Sequence, residues 1–414
     1  MEFFNKPQIL LRETGLVRRF TAYAEMETTS DESSETCPST PGQRLLAERA
    51  AADLRDLGLT DVTVDENGYL LAALPDTAPK ALTVGLIAHL DTSPSAPGKG
   101  VHPRLHSNYD GSDITLDEGT VIEADEALRR CVGDTIITSN GTTLLGADDK
   151  AGMSVIIAAA EYWMKHPEVP RPSIRIAFTP DEEIGRGAAR FPYEAFGADF
   201  AYTLDGSFIG EINIETFEAY AATVTFEGVS THPGNAKGKL VNALKAMGKV
   251  LSRLPEDLAP ETTEDRRGFI HPVSCSGDSS VCTLSFILRD FEVEKAQALR
   301  GRLEALVAEV VDEDPRLKTT VDVTHTYPNM YPFFKSRPEV WQKLEEAVRL
   351  AGITPNRVPV RGGTDGSVLT KNGLLCPNIF AGGMNFHDKR EWISDRVMGL
   401  SLCTVLNLMM LHAK

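Results

Sequence analysis

The chain has 414 residues, 42% hydrophobic and 24% charged, which is ordinary for a globular protein and enough for two or three domains around a sizeable core. A net charge of −17, with no basic run or basic-aromatic stripe, argues against nucleic acid and anionic membrane as partners. Six cysteines without a CxxC pair suit reduced thiols, and with no apolar leader or membrane-length run the expected location is cytoplasmic.

Residues 7–27 carry apolar side chains in loose helical spacing, and a second helix is predicted over 43–57 with Gly58 as its C-terminal cap. DVTVDENGYLLAAL (61–74) reads as a hairpin turning at Asn67-Gly68. ALTVGLIA (81–88) is nearly all apolar, as a strand buried on both faces of a doubly wound sheet would be, and it runs into His89-Leu90-Asp91. Ligands collect at the carboxyl ends of strands in such sheets. His89 and Asp91 alternate along an extended segment, so the carboxylate can face the imidazole and hold its tautomer.

A Gly-, Pro- and Asp-rich connection to about residue 140 is expected to be surface loop with short strands. Leu144 and Leu145 are then expected to close a strand, with Asp148-Asp149 at the turn into an apolar helix that ends near residue 167. In SIRIAFTPDEEIGRG (173–187), Ile174, Ile176 and Phe178 alternate along a strand that Pro180 stops, and Asp181, Glu182 and Glu183 follow at its edge. Three adjacent carboxylates repel one another, which a fold tolerates on a solvated loop or beside a cation. Residues 200–204 form a further strand leading to Asp205-Gly206.

The pattern changes after residue 212. Strand 219–227, helix 237–254, strands 269–275 and 280–288, helix 292–311 and strand 318–326 spell β-α-β-β-α-β, a ferredoxin-like α+β module inserted into the α/β sheet domain. The expected organisation is therefore residues 1–212 and 327–414 as two parts of a mixed, doubly wound catalytic domain, with 213–326 as a lid. The last part holds a helix near 338–351, the loop RGGTDG (361–366), a strand over 377–383, His387 just beyond it, and an amphipathic helix over 394–411.

Six strand-end candidates emerge: His89, Asp148, Glu182, Glu183, Asp205 and His387. Two imidazoles with several carboxylates suit a pair of divalent cations, zinc before magnesium because of the histidines, with manganese or cobalt as substitutes. A paired site needs one bridging carboxylate, and another left unligated to take a proton from water; adjacent Glu182 and Glu183 can divide those tasks. Asp91, Asp148, Glu182, Glu183 and Asp205 sum to five negative charges, which two dications reduce to one. No GxSxG elbow, P-loop, GxGxxG after a strand or HExxH is present. The other histidines, apart from His232, have no local pattern.

HLDTSP (89–94), LLGADDKAG (144–152), AFTPDEEIGRGA (177–188), AYTLDG (201–206), HPGNAKG (232–238), ILRDF (287–291), RGGTDG (361–366) and CPNIFAGGMNFH (376–387) together resemble the peptidase T family. These are tripeptide aminopeptidases within the superfamily of co-catalytic zinc exopeptidases and deacylases. The resemblance implies that Asp148 bridges two metals, that His89 and Asp205 complete one site, and that Glu183 and His387 complete the other. It further implies Asp91 orienting His89, Glu182 as general base, and a cis peptide at Asp148-Asp149. His232, brought in by domain closure, is the best candidate for an oxyanion donor, and Arg289 and Arg361 for gripping a peptide's terminal carboxylate. The expected partner is a small peptide, and pairing into a homodimer is left open.

Overall fold

The run Thr83–His89 lies inside an eight-stranded sheet in the computed structural model, which describes residues 3–77 and 82–414. Ala81, expected to open this strand, lies outside the described residues, as do Met1 and Glu2 of the N-terminal stretch. The chain divides into two units: Met1–Ile214 with Phe333–Val358 and Thr364–Lys414, and Glu215–Pro332 with Pro359–Gly363.

In the first unit the sheet order is Val62–Val64, Leu70–Leu74, Ser173–Thr179, Thr83–His89, Phe200–Gly206, Asn378–Phe380, Glu211–Asn213, Asn356–Arg357. The strands Ser173–Thr179, Thr83–His89, Phe200–Gly206 and Asn378–Phe380 run parallel, while Val62–Val64 and Leu70–Leu74 form an antiparallel hairpin on one side. Register aligns the carboxyl ends: His89 pairs with Thr179 and Ile87 with Thr203, so His89 and Asp205, each two residues further on, emerge level with one another.

The helix Ala147–Lys165 packs on Thr83–His89 and Phe200–Gly206, against Leu16–Ala24 and Asp395–His412. Gly152 lets it lie close, because a Cβ there would stand 2.2 Å from the Leu204 carbonyl. On the other face Ile87, Ala177 and Ala201 meet Phe196 and Leu369, from the short helices Tyr193–Phe196 and Asp365–Lys371. A small separate sheet, ordered Gly383–Met384, Trp392–Ser394, Ile136–Thr138, Arg104–His106, carries the loop on which His387 stands.

Several expectations need correction. The helix predicted over 7–27 is two helices, Pro7–Glu13 and Leu16–Ala24, because the Gly15 N–H is drawn to Glu161 Oε2 at 2.9 Å and the Thr14 hydroxyl bonds back to the Leu10 carbonyl. Leu144 and Leu145 form no strand; the strand there is Ile136–Thr138, and the Leu145 N–H goes to the Glu391 carboxylate. Asp365 opens the helix Asp365–Lys371, with the Thr364 N–H donating to Ser367 Oγ at 3.2 Å, so RGGTDG is only in part a loop. The closing helix Asp395–His412 is buried nearly all round rather than amphipathic: Ser401 donates to the Phe380 carbonyl and Asn407 takes both the N–H and the carbonyl of Phe4.

The second unit is β-α-β-β-α-β: Glu218–Glu227, Ala243–Arg253, Phe269–Gly277, Val281–Asp290, Val293–Asp312, Lys318–Tyr327. Its antiparallel sheet has the order Phe269–Gly277, Val281–Asp290, Glu218–Glu227, Lys318–Tyr327. The predicted start at 237 for its first helix is too early, since Asn242 caps the helix by accepting from the Lys245 N–H. Strict alternation puts Val224, Phe226, Leu284, Phe286 and Leu288 into one core with both helices.

Candidate metal centre

Three strand ends and two loops bring five side chains of the first unit together. Asp148 lies between two imidazoles: its Oδ1 is 2.8 Å from His89 Nε2 and its Oδ2 is 3.2 Å from His387 Nε2. Asp205 Oδ1 stands 3.6 Å from the same His89 nitrogen, and Glu183 Oε2 stands 2.9 Å from the same His387 nitrogen. Each end thus offers one ring nitrogen and oxygens from two carboxylates, and Asp148 belongs to both. Asp148 can reach out in this way because it is extended (φ −85°, ψ 104°) ahead of the regular helix, after Gly146 at φ +81°. The Asp148-Asp149 peptide is cis, as the resemblance implied.

Asp149 also comes close to His89, but its carboxylate is committed to backbone, accepting from the His89 N–H at 3.2 Å and the Gly152 N–H at 3.1 Å. Asp91, fully buried, accepts from the Glu182 N–H at 2.9 Å with one oxygen and from the Glu183 N–H at 3.1 Å with the other. His89 Nδ1 lies 3.1 Å from the Asp91 carbonyl and 3.4 Å from its carboxylate. One residue therefore steadies the imidazole and the two-glutamate segment together. Asp181 turns away, at φ +59°, to accept from the Ser39 N–H and from Gln43 Nε2, so one of the three adjacent carboxylates points elsewhere. Glu182 is half-buried and accepts from the Asp365 N–H at 3.1 Å.

The cluster's electrostatics call for positive charge. Burial and the neighbouring Asp148 push Glu183 and Asp205 each up to about 7. Burial, then Asp205, holds Glu182 well above the usual carboxylate range. His387, bonded to Asp148 and Glu183, is raised to about 10. His89 is likewise raised: burial works against its charge, but bonds to Asp148, Asp205 and Asp91 outweigh it. Asp148, between both rings, is pulled below its ordinary value despite its burial. Protons on the imidazoles and carboxylates thus neutralise a site whose donor set suits cations. Glu183 Oε1 is buried with no hydrogen-bond partner among the described residues, an orphaned acceptor that a cation would satisfy.

Residues that sequence reasoning passed over surround the cluster. Glu391 accepts from the Leu145, Gly146 and Asp148 amides. Asp365 is buried and raised to about 6 by that burial, although the Thr179 hydroxyl donates to it at 2.8 Å. Lys150, also buried, donates to the Met26 carbonyl at 2.6 Å and is pulled down to about 7 by burial. Lys150 and Asp365 lie inside the stretches LLGADDKAG and RGGTDG without having been singled out there, and Glu391 had no local signal. A concavity of about 920 Å³, walled by Phe208, Ile209, Ile353, Met384 and Trp392, contains none of the five clustered side chains.

His232, Arg289 and Arg361 belong to the second unit. His232 Nδ1 accepts from the Gly234 N–H at 3.1 Å, which leaves the ring proton on Nε2. Arg289 Nη1 donates to the Tyr220 and Leu288 carbonyls, and its guanidinium sits 5.3 Å from the Tyr327 ring centre. Arg361 uses Nη1 for the Asp265 and Arg267 carbonyls and Nη2 for Thr263.

Residues 144–410 match the model of peptidase family M20/M25/M40. The chain is 44% identical over 402 residues to peptidase T of Shouchella clausii, covering 96% of this chain and 98% of that one. It is also 44% identical over 384 residues to peptidase T of Bacillus subtilis, covering 92% and 94%. Among solved structures, an aminopeptidase from Bacillus cereus superposes with a TM-score of 0.75 at 23% identity, covering 96% of this chain and 98% of that one. A dinuclear metal-binding M20 peptidase from Bacillus subtilis superposes at 0.66 and 12%, covering 98% and 99%. At those identities the likeness to solved structures speaks for the fold.

Proposed function

The chain belongs to the peptidase T family within the M20/M25/M40 peptidases, and from that membership we propose that it releases the N-terminal residue of tripeptides by metal-dependent hydrolysis, with the work divided as follows. His89, Asp148 and Asp205 would hold one divalent cation, and His387, Asp148 and Glu183 the other. Two such cations, when bound, supply Lewis acidity, lowering the pKa of a water towards about 7 and polarising a peptide carbonyl. Glu182 takes the proton from the attacking water and returns it to the leaving amine nitrogen. Asp91 keeps Glu182 and Glu183 in their relative places through their amides. The unpaired ammonium of a peptide is drawn to so acidic a pocket, which favours the amino end.

The observation that carries this reading is the placing of the two Asp148 oxygens against two different imidazoles, 2.8 and 3.2 Å away. In the second unit, proposed as the lid, we assign the oxyanion donor role to His232, whose Nε2 bears the proton. For the terminal carboxylate we put Arg289 before Arg361, because the bonds of Arg361 already use both terminal nitrogens. Zinc as the resident metal and a cytoplasmic setting complete the proposal. No helix among the described residues is long and apolar enough to cross a membrane.

The test is release of the N-terminal residue from di-, tri- and tetrapeptides, with and without chelator and added zinc, beside an N-acetylated tripeptide. Zinc-restored cleavage of the free tripeptide alone is expected. Faster cleavage of the acetylated form would replace the aminopeptidase with a deacylase.

A further inference from the structure

Glu391 is 1% exposed and lies four residues after His387, on the loop between Gly383–Met384 and Trp392–Ser394. Its Oε2 accepts from the Leu145 and Gly146 amides, both at 2.7 Å, and its Oε1 from the Asp148 amide at 3.1 Å. A buried carboxylate is costly unless its lone pairs are used, and here three N–H donors use them. These amides belong to the turn that carries Asp148 ahead of the regular helix, where Asp148 and Asp149 depart from helical φ/ψ. The carboxylate that holds them comes from 243 positions on, on the segment that presents His387.

We propose that Glu391 is a positioning residue for the His387 end of the metal centre: it ties the His387 loop to the Asp148 turn and so sets the separation of those two side chains. The inference rests on the reading of His387, Asp148 and Glu183 as one cation site. A carboxylate that bonds the Asp148 amide with one oxygen and the Leu145 and Gly146 amides just before it with the other leaves the loop little room to swing, and His387 is otherwise the most exposed of the five, with 43% of its side chain accessible. Replacing either oxygen with an NH₂ group sets donor against donor, and shortening the arm by one methylene pulls the two segments out of place.

The experiment titrates wild type, Glu391→Gln and Glu391→Asp with zinc under buffered free-metal conditions, records the visible spectrum of each protein loaded with cobalt, and follows thermal unfolding. Ser394→Ala is the control, since Ser394 caps the helix Asp395–His412 through the Val397 N–H and touches none of the five side chains. Wild type is expected to take two ions per chain. Both Glu391 variants should take the first as wild type does and the second about 10–100-fold more weakly, with excess zinc restoring occupancy. Ser394→Ala should lose stability while keeping the second ion, and Glu391→Asp is read in the same way should Glu391→Gln fail to fold. Wild-type affinity for both ions in the Glu391 variants, or equal weakening in Ser394→Ala, overturns the proposal. Fewer than two ions in wild type overturns instead the reading on which it rests.

Discussion

His89 and His387 face the two oxygens of one aspartate, yet they reach it from opposite kinds of structure. His89 ends a strand with parallel neighbours on both sides; its side chain is 3% accessible, its amide is held by Asp149 and its Nδ1 by Asp91. His387 stands on a loop at φ +63°, is far more exposed, and has its segment tied to the Asp148 turn by Glu391. A sheet places a ligand's backbone by register before any side chain adds to its hold. A loop has to be tied down by bonds to its neighbours, and each tie is a single side chain that can be removed. The two ends of one centre should therefore differ in how tightly they hold an ion and in how many substitutions loosen them.

The sharpest way to break the comparison is to remove what the two ends share. Asp148→Asn takes an anionic oxygen from both, and zinc content should fall from two ions per chain to one or none, with turnover reduced by about 10⁴-fold, the several kcal/mol of charge stabilisation the ions supply. Two retained ions would show that Asp148 is no bridge. Glu182→Ala spares both ends: the metal analysis should match wild type while kcat falls about 10²–10⁴-fold, and near-normal turnover would discard Glu182 as the base.

A gentler change sharpens the contrast at the buried end. Asp91→Asn leaves one oxygen for two amides and for the His89 ring, so a loss of about 10–100-fold is expected, mainly in kcat, with the His89 ion loosened before the His387 ion. Loss of the His387 ion first would invert the assignment. The smallest effect on the metal centre lies away from both ends, at His412, buried against Tyr202 and pulled down to about 3 by that burial. With a depressed folded pKa, the unfolded chain takes up this proton first as pH falls. Stability is then full above about 6.5 and declines towards about 3, on the order of 5 kcal/mol in all. Denaturant titrations across that range should slope less for His412→Gln than for wild type, and equal slopes would remove His412 from the account.

Much of this was legible in the sequence, for physical reasons. A strand buried on both faces has to be apolar, so ALTVGLIA announced itself, and polar residues directly after such a run at a carboxyl edge are conspicuous. His89, Glu182, Glu183 and Asp205 were found in that way, and strict alternation made the β-α-β-β-α-β module readable strand by strand. What stayed hidden works through backbone groups or through distant partners. Glu391 binds three amides and leaves no spacing to notice. Gly15 breaks a helix because of Glu161, 146 positions on. Ser401 and Asn407 look like a solvent-facing stripe but are buried on the backbone of Phe380 and Phe4. Asp181 sits in an acidic triplet, and only its bonds to Ser39 and Gln43 show that it faces away.

Crystals grown with zinc and measured on both sides of the zinc absorption edge test the shared-aspartate centre most directly. Two anomalous peaks about 3.5–4 Å apart are expected, one beside His89 and Asp205, the other beside His387 and Glu183, with one Asp148 oxygen on each. A single peak, or two peaks that do not share Asp148, would contradict it.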